Sequence, residues 1–219
     1  MRINKYVANA TGVSRRKADD LITHGQVYIN ENKAQLGDSV EVSDKVYLDN
    51  KLIELNQDTV VLMINKPRGY VCSRSGQGSK TIYELIPDQY KNLKPVGRLD
   101  KDSSGLLLLT NNGDLANKLT HPKYAKQKTY VVQLDKNLSL EDSENIKKGI
   151  KLEDGISKFD LDYLDTRDHL LIKLSEGRNR QIRRTFEKLN YKVISLHRET
   201  MGEYSLGRLR VGEVQEMKA

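Results

Sequence analysis

Hydrophobic positions follow a helical rhythm at the start of this chain and a strand rhythm through most of the rest. Ile3, Tyr6, Val7 and Ala10 recur at three- and four-residue spacing, the stripe of an amphipathic helix, and Thr11-Gly12-Val13 breaks it. Ser14 then caps a second helix with Ala18, Leu21 and Ile22 on one side, closed by His24-Gly25. Val27 and Ile29 alternate with polar residues as in a strand, and Asn30-Glu31-Asn32 reads as a turn. Val40, Val42, Val46 and Leu48 predict two more short strands.

The polar stretch Glu54-Leu55-Asn56-Gln57-Asp58-Thr59 reads as a linker. Beyond it, Val60-Val61-Leu62-Met63-Ile64 predicts a buried strand ending in a turn, Asn65 to Tyr70, that carries the cations Lys66 and Arg68. Residues 73 to 80, rich in Ser, Gly and Lys, read as a mobile loop. Strands are predicted near 106–110, 128–134, 159–164, 169–174 and 191–197, with helices near 114–120, 139–148 and 180–189. Short connections such as Thr166-Arg167-Asp168 favour antiparallel neighbours, so the larger part is α+β and not a doubly wound sheet.

Composition adds a direction. The 219 residues carry 37 Lys plus Arg against 30 Asp plus Glu, a net charge of +7 that favours a polyanionic partner, nucleic acid first. Residues 1 to 55 hold eight bases and eight acids, so the excess lies beyond them. Yet Arg2, Lys5, Arg15, Arg16 and Lys17 precede every acid there, which gives the two helices a basic edge suited to RNA phosphates; a solvated helix face is the competing reading. The single cysteine, Cys72, rules out an internal disulfide framework and points to a reducing compartment, and four scattered histidines do not suggest a zinc site. No signal core opens the chain and no apolar run approaches the roughly 20 residues of a membrane span, so a cytoplasmic protein with no membrane partner is expected.

Candidate chemistry centres on Gly97-Arg98-Leu99-Asp100-Lys101-Asp102-Ser103-Ser104-Gly105, which runs directly into Leu106-Leu107-Leu108-Leu109. It sets a carboxylate and an arginine in a glycine-bounded turn before a strand apolar on both faces. Asp100-x-Asp102-x-Ser104-Gly105 matches the opening of a calcium loop, but the six residues that follow lack the terminal Glu, so no metal is expected. Asp100 is then a nucleophile, a base or a turn cap. Tyr130 shares a strand face with Val132 and Leu134, as a core tyrosine or a platform for a stacked base. In Glu176-Gly177-Arg178-Asn179-Arg180-Gln181-Ile182-Arg183-Arg184, four arginines within seven residues start a helix. They form a solvated charge run, or Arg183 turns inward to pair with a buried carboxylate.

Taken together, Gly97-Arg98-Leu99-Asp100 with Gly105 to Asp114, then Lys128-Thr129-Tyr130, then Glu176 to Arg184, resemble the ribosomal pseudouridine synthases. The likeness is to the group of small-subunit synthase A and large-subunit synthases B, E and F, and the opening module resembles the S-four-like RNA-binding domain these enzymes carry. The resemblance implies an α+β protein: a small RNA-binding domain at 1–54, then at 60–219 a catalytic domain built on a mixed, mostly antiparallel β-sheet with flanking helices. It implies Asp100 as the essential aspartate, Tyr130 stacking on the target uracil, Arg183 pairing with Asp100, Ile182 packing near the base, and Lys66-Pro67-Arg68-Gly69 as the family's first motif. Thr185, where methionine is expected, and the closing Gly212-Glu213-Val214-Gln215 depart from the pattern.

The implied reaction turns uridine into pseudouridine within ribosomal RNA and uses no cofactor. It leaves open whether Asp100 attacks the base, attacks the sugar or removes a sugar proton. Arg98, Arg178 and Arg180 around the cleft, with the five cations of the small domain, are the expected RNA contacts. Ser14-Arg15-Arg16-Lys17 and Leu36-Gly37-Asp38 lean to the large-subunit enzymes and 23S RNA. The partner is ribosomal RNA or a subunit precursor, and a monomer is the simplest state. The alternative is a non-catalytic RNA-binding or assembly factor, which has no need of Asp100, Tyr130 and Arg183 together; a fused methyltransferase would need a glycine-rich cofactor loop that the chain does not contain.

Overall fold

Gly12 and Ser14 divide the first two helices as their chemistry requires. In a computed structural model, which describes residues 1–55 and 58–217, α1 spans Ile3–Thr11 and ends on Gly12 in the left-handed region. The helix α2 spans Arg15–Thr23, with the Ser14 side chain accepting from the Lys17 amide at 3.1 Å. Asn56 and Gln57 of the expected linker, and Lys218 and Ala219, lie outside the described residues.

Two compact units result. The first comprises Met1–Val60 with Asn111–Gly113, and the second Val61–Thr110 and the chain from Asp114 onward. In the first, β1 (Val27–Ile29), β2 (Asn32–Lys33), β3 (Val46–Leu48) and β4 (Lys51–Ile53) form an antiparallel sheet ordered β2-β1-β3-β4. Ile3, Val7, Ala18, Ile22, Val27 and Val46 make its core. Val40 and Val42 are not a strand: Val40 is buried but Val42 is fully exposed, and the second hairpin forms later, through Asp49 and Asn50, both at positive φ. Alternating valines did not suffice, because no neighbouring strand pairs with them.

The second unit is built on a nine-stranded mixed sheet. Its strands are β5 (Val61–Lys66), β6 (Lys94–Pro95), β7 (Ser104–Thr110), β8 (Lys128–Leu134), β11 (Asp160–Tyr163), β12 (His169–Leu174), β13 (Val193–Met201), β14 (Tyr204–Ser205) and β15 (Val214–Met217), with β9 (Ile150–Leu152) and β10 (Gly155–Ser157) as a separate hairpin. The main path runs β11-β12-β8-β13-β7-β5-β15, and β13 on β7 is its parallel contact. Every residue of β5 is buried, as is β7 from Gly105 on, which explains why both read as unbroken apolar runs. In β8 burial alternates, and Lys128, Tyr130, Val132 and Leu134 face inward. The helices are α3 (Gly113–Thr120), α4 (Leu140–Lys148) and α5 (Gln181–Lys188), and Leu119 of α3 joins Leu106, Leu108 and Met201 in one core cluster. The fold is α+β. No helix among the described residues is long and apolar enough to cross a membrane.

Where β7 meets β13 the backbones press together. Gly105 stands opposite Arg198 at φ +107°, and a Cβ built on it would fall 2.2 Å from the Arg198 carbonyl oxygen and 2.5 Å from its nitrogen. Both φ and space therefore demand glycine. Gly105→Ala is expected to cost about 3 kcal/mol or more, since an unfavourable φ alone costs about 1–3 kcal/mol; a urea unfolding midpoint equal to that of the wild type contradicts this.

Candidate active site

Lys66, the last residue of β5, is fully buried, and its ammonium donates to three carbonyl oxygens: Pro67 at 3.0 Å, Asp100 at 3.1 Å and Ser103 at 2.7 Å. Expected in a turn with Arg68, it instead sits in the sheet, because it spans the turn of Asp100 from below. Burial lowers its pKa, with Cys72, Asp100 and Asp102 opposing. The turn is also tied by the Gly69 amide to the Lys101 carbonyl at 2.7 Å, and by Ser103 N–H to the Asp100 carbonyl at 3.1 Å.

From the other side the turn is held by α5. Arg183 is buried; its Nη1 donates to the Val193 carbonyl at 3.0 Å, and its Nη2 to the Asp102 carbonyl at 3.1 Å and to Ser103 Oγ at 3.3 Å. Its Nε lies 3.5 Å from Asp102 Oδ2. Arg183 therefore pairs with Asp102 and not with Asp100 as expected. Arg180 is the cation beside Asp100, at 3.6 Å from Oδ2, and it also donates to Asp102 Oδ1 at 3.2 Å. One helical turn explains the exchange: Arg180 caps α5 in the left-handed conformation at the cleft's rim, while Arg183 points into the body behind it. Nor is Asp100 buried, its side chain being 30% exposed.

Asp100, Tyr130, Ile182, Arg98, Arg178 and Arg180 do converge, lining one cleft of about 460 Å³. Leu174 and Leu196 supply apolar wall, Ile182 is buried and Arg98 exposed. A half-exposed carboxylate thus faces a slot bounded by an aromatic ring and aliphatic side chains, with cations around its mouth. Such a site can take a flat, uncharged ring and present a carboxylate to what the ring is attached to.

The sequence profile of the RNA pseudouridylate synthase family matches residues 60–188, and that of the S4 domain matches residues 1–46. The chain belongs to the RNA pseudouridylate synthase family. The ribosomal large subunit pseudouridine synthase B of Bacillus subtilis is 37% identical over 99% of this chain and 91% of its own length. The dual-specificity RNA pseudouridine synthase RluF of Escherichia coli K12 is 34% identical over 99% of this chain and 75% of its own. Among solved structures, a crystal structure of a pseudouridylate synthase superposes with a TM-score of 0.71 at 30% identity, covering all of this chain and 96% of the other. The chain is thus a pseudouridine synthase, an isomerase acting within RNA.

Other expected residues of this synthase fall elsewhere. Arg178 lines the cleft but is committed to the β9–β10 hairpin, donating to the Asp154 carbonyl and carboxylate at 3.0 and 2.9 Å and to the Ile156 carbonyl at 2.8 Å. Arg2, Lys5, Arg15, Arg16 and Lys17 lie in the first unit. Arg2 and the three basic residues opening α2 are exposed, Lys5 is half-buried, and Arg15 Nη2 reaches Asn4 Oδ1 at 3.4 Å. Thr185, the departure noted in the sequence, is buried and donates to Ser157 Oγ at 2.8 Å or the Gln181 carbonyl at 2.9 Å, so a polar cluster stands where a larger apolar side chain was expected.

Asp102, Lys128 and Arg198 were not singled out by sequence reasoning. The signal for Asp102 was the calcium-like spacing, which was discarded with the metal. Lys128 opens a strand that alternates as half-buried and Arg198 falls just past the strand predicted at 191–197, yet both are buried and line the cleft. Burial alone would raise the Asp102 carboxyl, but the Arg180 hydrogen bond and the Arg183 and Arg180 charges outweigh it and hold it below the usual range.

Two outcomes follow. Lys66→Met strands three carbonyls, and an expected loss of about 2 kcal/mol is read from urea unfolding, accompanied by loss of isomerase activity; wild-type values in both contradict the clamp. Because the folded pKa of Asp102 is depressed, its stabilisation is present above its unfolded value of about 3.9 and is lost as pH falls through the lower folded value. Wild type should therefore melt above Asp102→Asn at neutral pH, with the gap closing in acid; a gap independent of pH argues against the ion pair.

Proposed function

We propose that this synthase isomerises a uridine of ribosomal RNA, with Asp100 as the catalytic residue. The observation that carries this is the convergence of the Asp100 carboxylate, Tyr130 and Ile182 on one cleft. The target nucleotide leaves its stack at a cost of a few kcal/mol. It enters beside Tyr130, whose ring recovers about 1–3 kcal/mol by stacking, and Ile182 packs near the base. The N1–C1′ bond then breaks, the base turns, and C5 bonds to C1′. The proton from C5 passes to solvent and N1 gains one, so atoms balance without a cofactor. The Asp100 carboxylate is the group proposed to act at the glycosidic bond.

The proposed RNA contacts are the exposed Arg2, Arg15, Arg16 and Lys17 and the half-buried Lys5 in the S4 unit (1–54), with the exposed Arg98 and Arg180 at the mouth of the catalytic unit (60–219). The role proposed for Arg183, and in part for Arg178, is to hold the cleft's walls. The large subunit, with its 23S RNA, is the proposed substrate. Its support is the small domain's Ser14 to Lys17 and the name of the Bacillus relative, while RluF is named as dual-specificity. A cytoplasmic monomer acting on RNA or a subunit precursor fits the single cysteine and basic charge.

The test is tritium release from RNA labelled at C5 of uridine, on protein-free ribosomal RNA and on isolated subunits. Wild type is expected to release tritium, and Asp100→Ala to release none while still binding the RNA. Turnover by Asp100→Ala removes Asp100 from the chemistry. Salt-sensitive binding with no release by wild type favours an assembly factor.

A further inference from the structure

Arg198 is 3% exposed and lines the cleft; its Nε donates to the Leu106 carbonyl at 2.7 Å, and its Nη2 is buried with no acceptor. Among the described residues no carboxylate pairs with it. Buried polar groups are almost always satisfied, and a guanidinium more so than most. An unanswered donor in the wall of a binding cleft marks where a ligand's acceptor belongs.

Its placement is built. Arg198 on β13 is the cross-strand partner of Tyr130 on β8, and cross-strand partners in an antiparallel pair project to the same face. A base lying on the Tyr130 ring is therefore within reach of the guanidinium beside it. On the other flank, the backbone of Arg198 sits so close to Gly105 that no side chain fits between them. That contact and the Leu106 bond fix the side chain, leaving its far end to answer a ligand. Lys128, two residues before Tyr130 on the same strand face, adds a second cation to this wall; its ammonium spends one donor on the Lys126 carbonyl at 3.3 Å.

We propose that Arg198 reads the target base by donating to the carbonyl oxygen at its C4. This rests on the isomerase reading above. Guanidinium and ammonium groups only donate. Uracil and cytosine share the carbonyl oxygen at C2, but at C4 uracil carries a carbonyl oxygen and cytosine an amino group, which would set donor against donor. A hydroxyl or amide could turn to suit either base, but an arginine cannot. Arg198 is thus a specificity-determining residue, separate from the carboxylate that acts on the glycosidic bond.

The test uses the full chain and a ribosomal RNA fragment that the wild type converts, transcribed with uridine, 2-thiouridine or 4-thiouridine. Conversion is followed by nucleoside chromatography under single turnover. Sulfur is a poor acceptor, so in the wild type the 4-thio substitution should lower kcat/KM by about 10- to 100-fold, the range for a hydrogen bond to a charged donor, and the 2-thio substitution should cost little. In Arg198→Lys and Arg198→Met conversion of the uridine RNA should fall by a similar factor, and the 4-thio substitution should then cost little more, the non-additivity that marks a direct contact. The wild-type comparison needs no variant, so it stands even where Arg198→Met fails to fold. Equal conversion of the uridine and 4-thiouridine RNAs by wild type overturns the proposal, whatever the 2-thio RNA does. So do additive losses, or variant losses confined to RNA affinity and its salt slope, which would make Arg198 a phosphate contact. No conversion of the uridine RNA by wild type overturns the isomerase reading itself, and the base-reading role falls with it.

Discussion

A buried ammonium ion organises this active site. Lys66 gives up water entirely, and its hydrogen bonds to Pro67, Asp100 and Ser103 replace the hydration it loses. The acceptors are backbone carbonyls, so what the charge holds is the course of the chain through residues 100–103 and not any one side chain. Arg183 does the same from the opposite side, through the Asp102 carbonyl and Ser103 Oγ. Between these two cations the turn is fixed firmly enough for Asp100 to stand at the cleft without being buried. A catalytic carboxylate in a packed wall would itself have borne the desolvation that here falls on the lysine and arginine.

This division of labour explains what could be read from the sequence and what could not. Elements with a strong period were plain: α1 and α2, the solid apolar strands β5 and β7, the alternating β8, and the basic helix α5. Short pieces with little pattern of their own, β6, β14, β15 and the β9–β10 hairpin, were invisible, because partners distant in sequence make them strands. The same holds within the site. Asp100, Tyr130 and Ile182 announce themselves by local motif, and the structure brings them to one cleft. Which arginine meets which aspartate depends on the direction in which α5 enters the body, and the motif does not contain it. Hence Arg183 pairs with Asp102 while Arg180 reaches Asp100. Lys66, Lys128 and Arg198 were hardest to see, since a cation in a turn or at the end of a strand reads as solvent-facing until the neighbours that bury it are known.

The cleft's charge follows from these burials. Lys66 and Lys128 are each buried within electrostatic reach of Arg198, and Arg183 is buried beside Arg180, against Asp100, Asp102 and Glu176. Desolvation pulls Lys66, Lys128 and Arg183 below their usual ranges, against the opposing pull of the nearby acids. An excess of positive charge in a partly dehydrated cleft projects a field toward its mouth, where Arg98 and Arg180 extend it. For an RNA strand that field is attractive at every phosphate. For the base itself, which is neutral, only the donors' directions matter. In the proposed reading one set of cations serves both to draw in the polymer through charge and to discriminate among its bases through hydrogen-bond geometry, and the cost of burying them is common to both tasks.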